Sequence, residues 1–146
     1  MREATGTTFS FQVMILFLLI FSAFLIIVIN YSRAYMVKND MLSVIEKYEG
    51  VHDESRDIMN SYILSKGYKG NGKCPEGWYG VYDLENDYYE ESVRNKKYYY
   101  CYKEKDENEK YYTEIKVFFK FDLPIIGNIM TYGVNGKTNV YKGYNK

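Results

Sequence analysis

Histidine is nearly missing from this chain: His52 is the single one, alongside one tryptophan, two prolines and two cysteines in 146 residues. A single histidine, no Ser-His or Cys-His constellation and no glycine-rich phosphate loop leave little for an enzyme to work with, so no catalytic residue is expected. His52 itself reads as a solvated residue beside a helix start. Zinc needs clustered sulfur and imidazole ligands, and Cys74, Cys101 and His52 are too scattered to supply them. Asp83, Glu85 and Asp87 alternate like the first ligands of a calcium loop, but Tyr88 stands where a glycine belongs and Arg94 where the closing Glu belongs. They are expected to form a solvated acidic connection, the alternative being an irregular calcium site. No metal site, no cofactor and no small-molecule substrate are expected. Net charge is missing too: 19 basic residues balance 19 acidic ones, which removes the electrostatic case for nucleic acid as a partner.

Charge is absent in a second, local sense. Residues 9–29 carry none, and their only polar side chains are Ser10, Gln12 and Ser22. At ~1.5 Å per residue the run reaches roughly 30 Å, about the thickness of bilayer hydrocarbon, and it shows no amphipathic period. It is read as a transmembrane helix, with Phe9, Phe11, Gln12, Ile15, Leu19, Phe24 and Ile29 as anchor and assembly residues and the lipid bilayer as a partner. A secretory signal core is shorter, about 7–15 residues, and no small-x-small site follows this one. Residues 1–8 make a short tail.

The helical pattern continues past the lipid. Between Asn30 and Glu49 no proline or glycine intervenes, and Ala34, Val37, Met41, Ile45 and Tyr48 recur at spacings of three and four. Residues 30–50 are therefore an amphipathic stem in which Val37, Met41, Ile45 and Tyr48 dock a sheet, with Gly50 as a left-handed cap. A kinked pair of helices is the alternative. About 100 residues remain for the head, 51–146, enough for one small domain.

Within that head a short helix over 53–66 is expected, capped by Asp53, faced by Ile58, Met59, Tyr62 and Ile63, and stopped by Gly67. Residues 67–77 make a glycine-rich loop, and antiparallel strands follow over 78–142. Residues 78–84 read as a strand, 83–97 as a charged connection with room for a helical turn, and 97–103 with 110–121 as a hairpin around Lys105–Glu109. In its second arm Tyr111, Thr113, Ile115, Val117, Phe119 and Phe121 share a core face; Tyr112, Glu114, Lys116, Phe118 and Lys120 share a mostly wet one. Residues 123–127 are a turn, and 128–134 pair with 137–141 across Asn135 and Gly136 as a type I′ hairpin. The fold class is α+β: a long N-terminal transmembrane helix continuing as a stem, packed against a small antiparallel β-sheet head.

Cys74 and Cys101 are the right number for one disulfide closing about 27 residues, a constraint contributing roughly 3.5 kcal/mol if the head lies outside the cytoplasm. Free thiols in a cytosolic domain are the alternative. Flanking charge does not decide topology, since Arg2 and the terminal amine oppose Arg33 and Lys38. The cysteine pair favours a cytoplasmic N-terminus and an extracytoplasmic head at the cell membrane. Tyrosine, at 18 residues, is the abundant type. Tyr98, Tyr100, Tyr102 and Tyr112 lie on a hairpin with rings on both faces, a contact surface if exposed and simple strand preference if not.

The order of tail, span, stem and disulfide-tied sheet looks like pilin architecture. Residues 29–50, INYSRAYMVKNDMLSVIEKYEG, resemble the post-membrane segment of TadE-like minor pilins of tight-adherence secretion systems. The later EIKVFFKFDLPIIGNIMTYGVNGKTNVY is similar to that family's terminal hairpins. Pilin precursors carry a processing Gly followed five residues on by Glu. Here Gly6 is followed at that distance by Phe11, with Gln12 beside it, so neither cleavage at Gly6 nor subunit registry through that Glu carries over. What the resemblance implies is a non-enzymatic structural subunit of a surface filament or secretion apparatus, partnered by other pilin-like subunits and a membrane assembly platform. The alternative is a membrane-tethered module that binds an extracellular ligand through its tyrosine-rich hairpin and does not polymerise.

Overall fold

The computed structural model describes residues 2–68, 70–107, 110–123 and 127–142, and their side chains outside 2–5 and 121–130. One continuous helix, α1 (Arg2–Tyr48), runs 47 residues, about 70 Å at ~1.5 Å per residue. With no proline and with Gly6 alone among glycines, its sequence contains nothing that would break it. Its two halves differ in what they touch. In the first, the side chains from Gly6 onward are exposed up to Phe21. In the second, Ala34, Val37, Met41 and Ile45 are buried against the rest of the chain.

The end of α1 corrects one expectation. Glu49, rather than Gly50, is the left-handed residue (φ 54°), and Gly50 follows at φ 147°. Gly50 N–H bonds Ile45 O at 3.1 Å and Glu49 N–H points to Glu46 O at 3.4 Å, the pairing of a Schellman ending displaced one residue early. Helix α2 (Asp53–Ser65) also starts differently. His52 is the cap position, and its N–H donates to Ser55 Oγ at 2.9 Å, whereas Asp53 turns its carboxylate to Arg56. Its far end follows the sequence: Gly67 (φ 60°) donates to Leu64 O and Tyr68 to Ile63 O, leaving two terminal carbonyls satisfied.

Five antiparallel strands form one sheet: β1 (Tyr79–Asp83), β2 (Tyr88–Glu91), β3 (Tyr100–Glu107), β4 (Lys110–Leu123) and β5 (Gly127–Lys137). Their spatial order is β2-β1-β3-β4-β5. Strand β2 lies inside the stretch read as a charged connection. Asp83 Oδ1 accepts the N–H groups of Glu85 and Asn86, and Asp87 adopts φ 49°, so four residues suffice to reverse the chain. The Asn135-Gly136 turn is also corrected. Both residues continue β5, opposite Lys116 and Ile115 of the long β4. The chain then stays beside β4, where Thr138 Oγ1 accepts Thr113 N–H at 2.9 Å and Tyr141 bridges Tyr111. A tight turn at 135 would forfeit that ladder. The centre of the turn expected over 123–127, and residues 108–109 at the other hairpin tip, lie outside the described residues.

Both helices cover one face of the sheet. Val37, Met41 and Ile45 of α1 and Met59 and Ile63 of α2 meet Val81, Tyr100, Tyr102, Ile115 and Val117. Nearer the lipid-like segment Ala34 packs with Phe119 and Val134. Two carboxylates tie the layers at their edges: Glu46 accepts Asn139 N–H at 2.7 Å and Glu104 accepts Val51 N–H at 2.8 Å. The outer face is drier than its alternation suggests. Phe118 is buried there with Tyr98 and Cys101, roofed by Cys74, Trp78 and Tyr82.

The Cys74–Cys101 disulfide holds that roof, with Cα atoms 5.7 Å apart. Gly80 lies directly beneath it: a Cβ there would sit 2.4 Å from the Tyr98 ring and 2.8 Å from Cys74 Sγ. Gly80→Ala is therefore expected to cost about 1–3 kcal/mol through overpacking. A urea midpoint unchanged from the parent would mean that the roof is not seated on β1.

Candidate interaction surfaces

The largest uncovered surface is the first half of α1. Phe9 is 68% exposed, Leu19 50% and Ile29 52%, and Phe11, Gln12, Ile15 and Phe24 are exposed with them. Soluble monomers seldom leave more than a few hundred Å² of contiguous apolar surface in water. Over its most apolar window the helix has a mean hydropathy of 3.0 and none of that window is buried, so it is long and apolar enough to cross a membrane. Its backbone is satisfied internally, and the Ser22 hydroxyl bonds back to Leu19 O at 2.9 Å, leaving that hydroxyl no need of water.

Where this segment meets the head, aromatic rings gather. Tyr31 lies edge-on to Phe119 at 6.0 Å, Phe119 stacks on Tyr132 at 5.9 Å, and Lys38 Nζ sits 4.1 Å over Tyr35. Among the stem residues, Val37, Met41 and Ile45 lie in the main core, whereas Tyr48 is half-buried and packs on His52.

The tyrosines expected to form a contact surface are mostly interior, which corrects that reading. Tyr98 and Tyr100 are fully buried and Tyr102 nearly so. Tyr98 donates its hydroxyl proton to Glu90 and accepts Val93 N–H, while Tyr100 donates to Asn60 Oδ1 at 3.0 Å. Burial pushes the Tyr100 phenol well above its usual range, and the Asp87 charge nearby adds to this. Tyr112 is half-buried beneath Lys137, whose Nζ lies 3.6 Å from its ring centre. On β1 and β2, Tyr79, Tyr88 and Tyr89 face solvent. Sequence reasoning missed Tyr88 and Tyr89 because β2 was hidden in an acidic stretch; the tyrosine pair at 88–89, of a strand-favouring residue type, was the available sign.

Beneath those rings lies a buried charge. Arg56 bonds Asp87 Oδ2 through Nε at 2.9 Å, reaches Asp53 with a second nitrogen, and spreads its guanidinium 4.0 Å above the Tyr89 ring. Asn60 donates to the other Asp87 oxygen at 2.8 Å. Asp83 and Asp87, placed by spacing in one acidic connection, thus do separate jobs: one folds the turn and the other neutralises α2. Among the described residues no group of three or more His, Cys, Asp and Glu side chains converges as a metal site would require. No protein-family model, curated protein or solved structure matches this chain.

Proposed function

We propose that this chain is a single-pass membrane protein of pilin-like, TadE-like character. It acts as a non-enzymatic structural subunit of a surface filament or secretion apparatus, with its N-terminus cytoplasmic and its head extracytoplasmic. The observation that carries the reading is the division of labour along α1: one half is apolar, with none of its most apolar window buried in the chain, and the other is two-faced and fastened to the sheet. A protein that only needed to support its sheet would have no use for the first half. In lipid, the first half is at home; within a filament, the same rings and aliphatics from Phe9 to Ile29 pack helix on helix against other pilin-like subunits delivered by a membrane assembly platform. The disulfide supports an oxidising compartment for the head. A tethered module binding through its hairpin tyrosines has weaker support, because Tyr98, Tyr100 and Tyr102 are interior.

The test separates anchor from assembly. Expressed with its neighbours in its own cell, the full chain is expected to resist alkaline extraction from membranes and to expose its head to protease added outside. A double variant, Leu16→Cys with Leu18→Cys, places one thiol on each of two opposite faces of α1 and is expected to give oxidative cross-linked ladders longer than a dimer. Extraction by alkali would sink the anchor. Retention with monomer alone would leave the anchor and sink the filament.

A further inference from the structure

Helix α1 leaves its apolar segment at Ile29, and the next turn carries Asn30 and Arg33 toward the head. There the end of α2 contributes Lys66 and β4 contributes Lys120, and with Tyr68 and Phe119 these side chains line an open pocket of about 160 Å³. Resting on the membrane-anchored reading above, we propose that this pocket binds the phosphate of an anionic phospholipid headgroup.

Three cations from three separate elements line it, and among the described residues no carboxylate does. None of Arg33, Lys66 and Lys120 takes part in an ion pair among the described residues, although the head forms such pairs elsewhere. Mutual repulsion makes that gathering unfavourable until an anion joins it. The end of α2 points its partial negative charge at the same place. Two of its carbonyls are already taken by Gly67 and Tyr68, however, and three full cations outweigh a dipole equivalent to roughly half a charge. Tyr68 is committed as well, its hydroxyl donating to Phe118 O, and Lys66 Nζ lies 5.4 Å from the Tyr62 ring centre, so the donors left are Arg33, Lys120 and Asn30, with Lys66 adding its charge.

Height fixes the ligand. Asn30 directly follows the last residue of the apolar run, which is the level of the phosphates just outside the hydrocarbon. Tyr31 and Tyr132, both about half exposed, flank the pocket at the depth where tyrosines settle in bilayers. Each cation held near an anionic surface favours binding by about fivefold, so losing two predicts a drop of about thirtyfold.

The experiment uses the detergent-solubilised full chain, titrated with phosphatidylglycerol, phosphatidylcholine or inorganic phosphate and followed by native mass spectrometry. Phosphatidylglycerol is expected to bind at least tenfold more tightly than phosphatidylcholine. Arg33→Gln with Lys120→Gln is expected to remove that preference. Arg94→Gln with Lys110→Gln, an equal charge loss at exposed sites elsewhere on the head, is expected to keep it. Equal binding of the two lipids, or a preference untouched by the first pair of substitutions, would overturn the site. Displacement of the lipid by inorganic phosphate at matching concentration would overturn the lipid assignment. Urea midpoints of both double variants check that the head stays folded. Release of the parent chain from vesicles by alkali would instead bring down the anchor on which the site depends, a failure visible before any lipid is compared.

Discussion

Asp87→Ala is expected to destabilise the head by about 3–5 kcal/mol, the range for a buried charge deprived of its partner. Arg56 is only 4% exposed, and Asp87 is the partly buried member of its pairing; Asp53, on the other side, is almost wholly in solvent and offers a screened, weak substitute. The guanidinium cannot shed its proton to escape, since arginine stays charged at any accessible pH. The damage would spread through Asn60, whose amide nitrogen loses its acceptor while its oxygen still holds the Tyr100 hydroxyl. Asp87 also sits at φ 49°, so alanine adds a backbone penalty of roughly 1 kcal/mol that Asp87→Asn would largely avoid. The comparison therefore divides charge from backbone: in urea denaturation, Asn should retain most of the loss and Ala slightly exceed it. A double variant Arg56→Met, Asp87→Asn should lose less than the two single changes added together. If Asp87→Asn changes stability by under about 0.5 kcal/mol, the pair is no more than a surface contact.

Legibility followed range. The uncharged run at 9–29 and the spacing of Ala34, Val37, Met41 and Ile45 were readable because each is a local pattern whose physical meaning does not depend on distant residues. Gly67 was readable for the same reason: a left-handed stop is decided within one turn. The two cysteines paired because no other partners exist. What failed needed a distant element. Asn135-Gly136 has the best local turn chemistry in the chain, yet β4 is long enough to pair with β5 straight through it, so the ladder prevails over the turn. Phe118 sits at a position that alternation assigns to water, and only the loop pinned by Cys74 makes it a core residue. Tyr98, Tyr100 and Tyr102 could be strand interior or display surface; α2 with its buried Arg56 made Tyr100 and Tyr102 interior, and the loop pinned by Cys74 covered Tyr98 on the other face. The cations around Asn30 come from residues 33, 66 and 120, a juxtaposition that no window along the chain contains.

Raising the pH is expected to unfold the head cooperatively, and the interior tyrosines supply the reason. Burial pushes the phenols of Tyr68, Tyr100 and Tyr102 up from their ordinary value near 10, with Arg56 partly opposing the rise at Tyr102. Below pH ~10 these groups are protonated whether the chain is folded or not, so they make stability insensitive to pH. Above it the unfolded chain releases protons that the folded chain still holds, and stability falls as pH rises toward the folded values. Each such phenol contributes a slope of about 1.4 kcal/mol per pH unit, so three together give about 4 kcal/mol per unit, enough to exhaust a small head within two or three units. Tyrosinate absorbance and near-ultraviolet circular dichroism should then show one coincident step. The phenols of Tyr62, Tyr98 and Tyr141 are raised as well and steepen the fall further, so Tyr102→Phe should lower the slope of stability against pH by about 1.4 kcal/mol per unit, the share of one group. Gradual ionisation of all the rings near pH 10 with the dichroism unchanged would mean that the phenols reach water in the folded state, and that the core beneath α2 is looser than its packing implies.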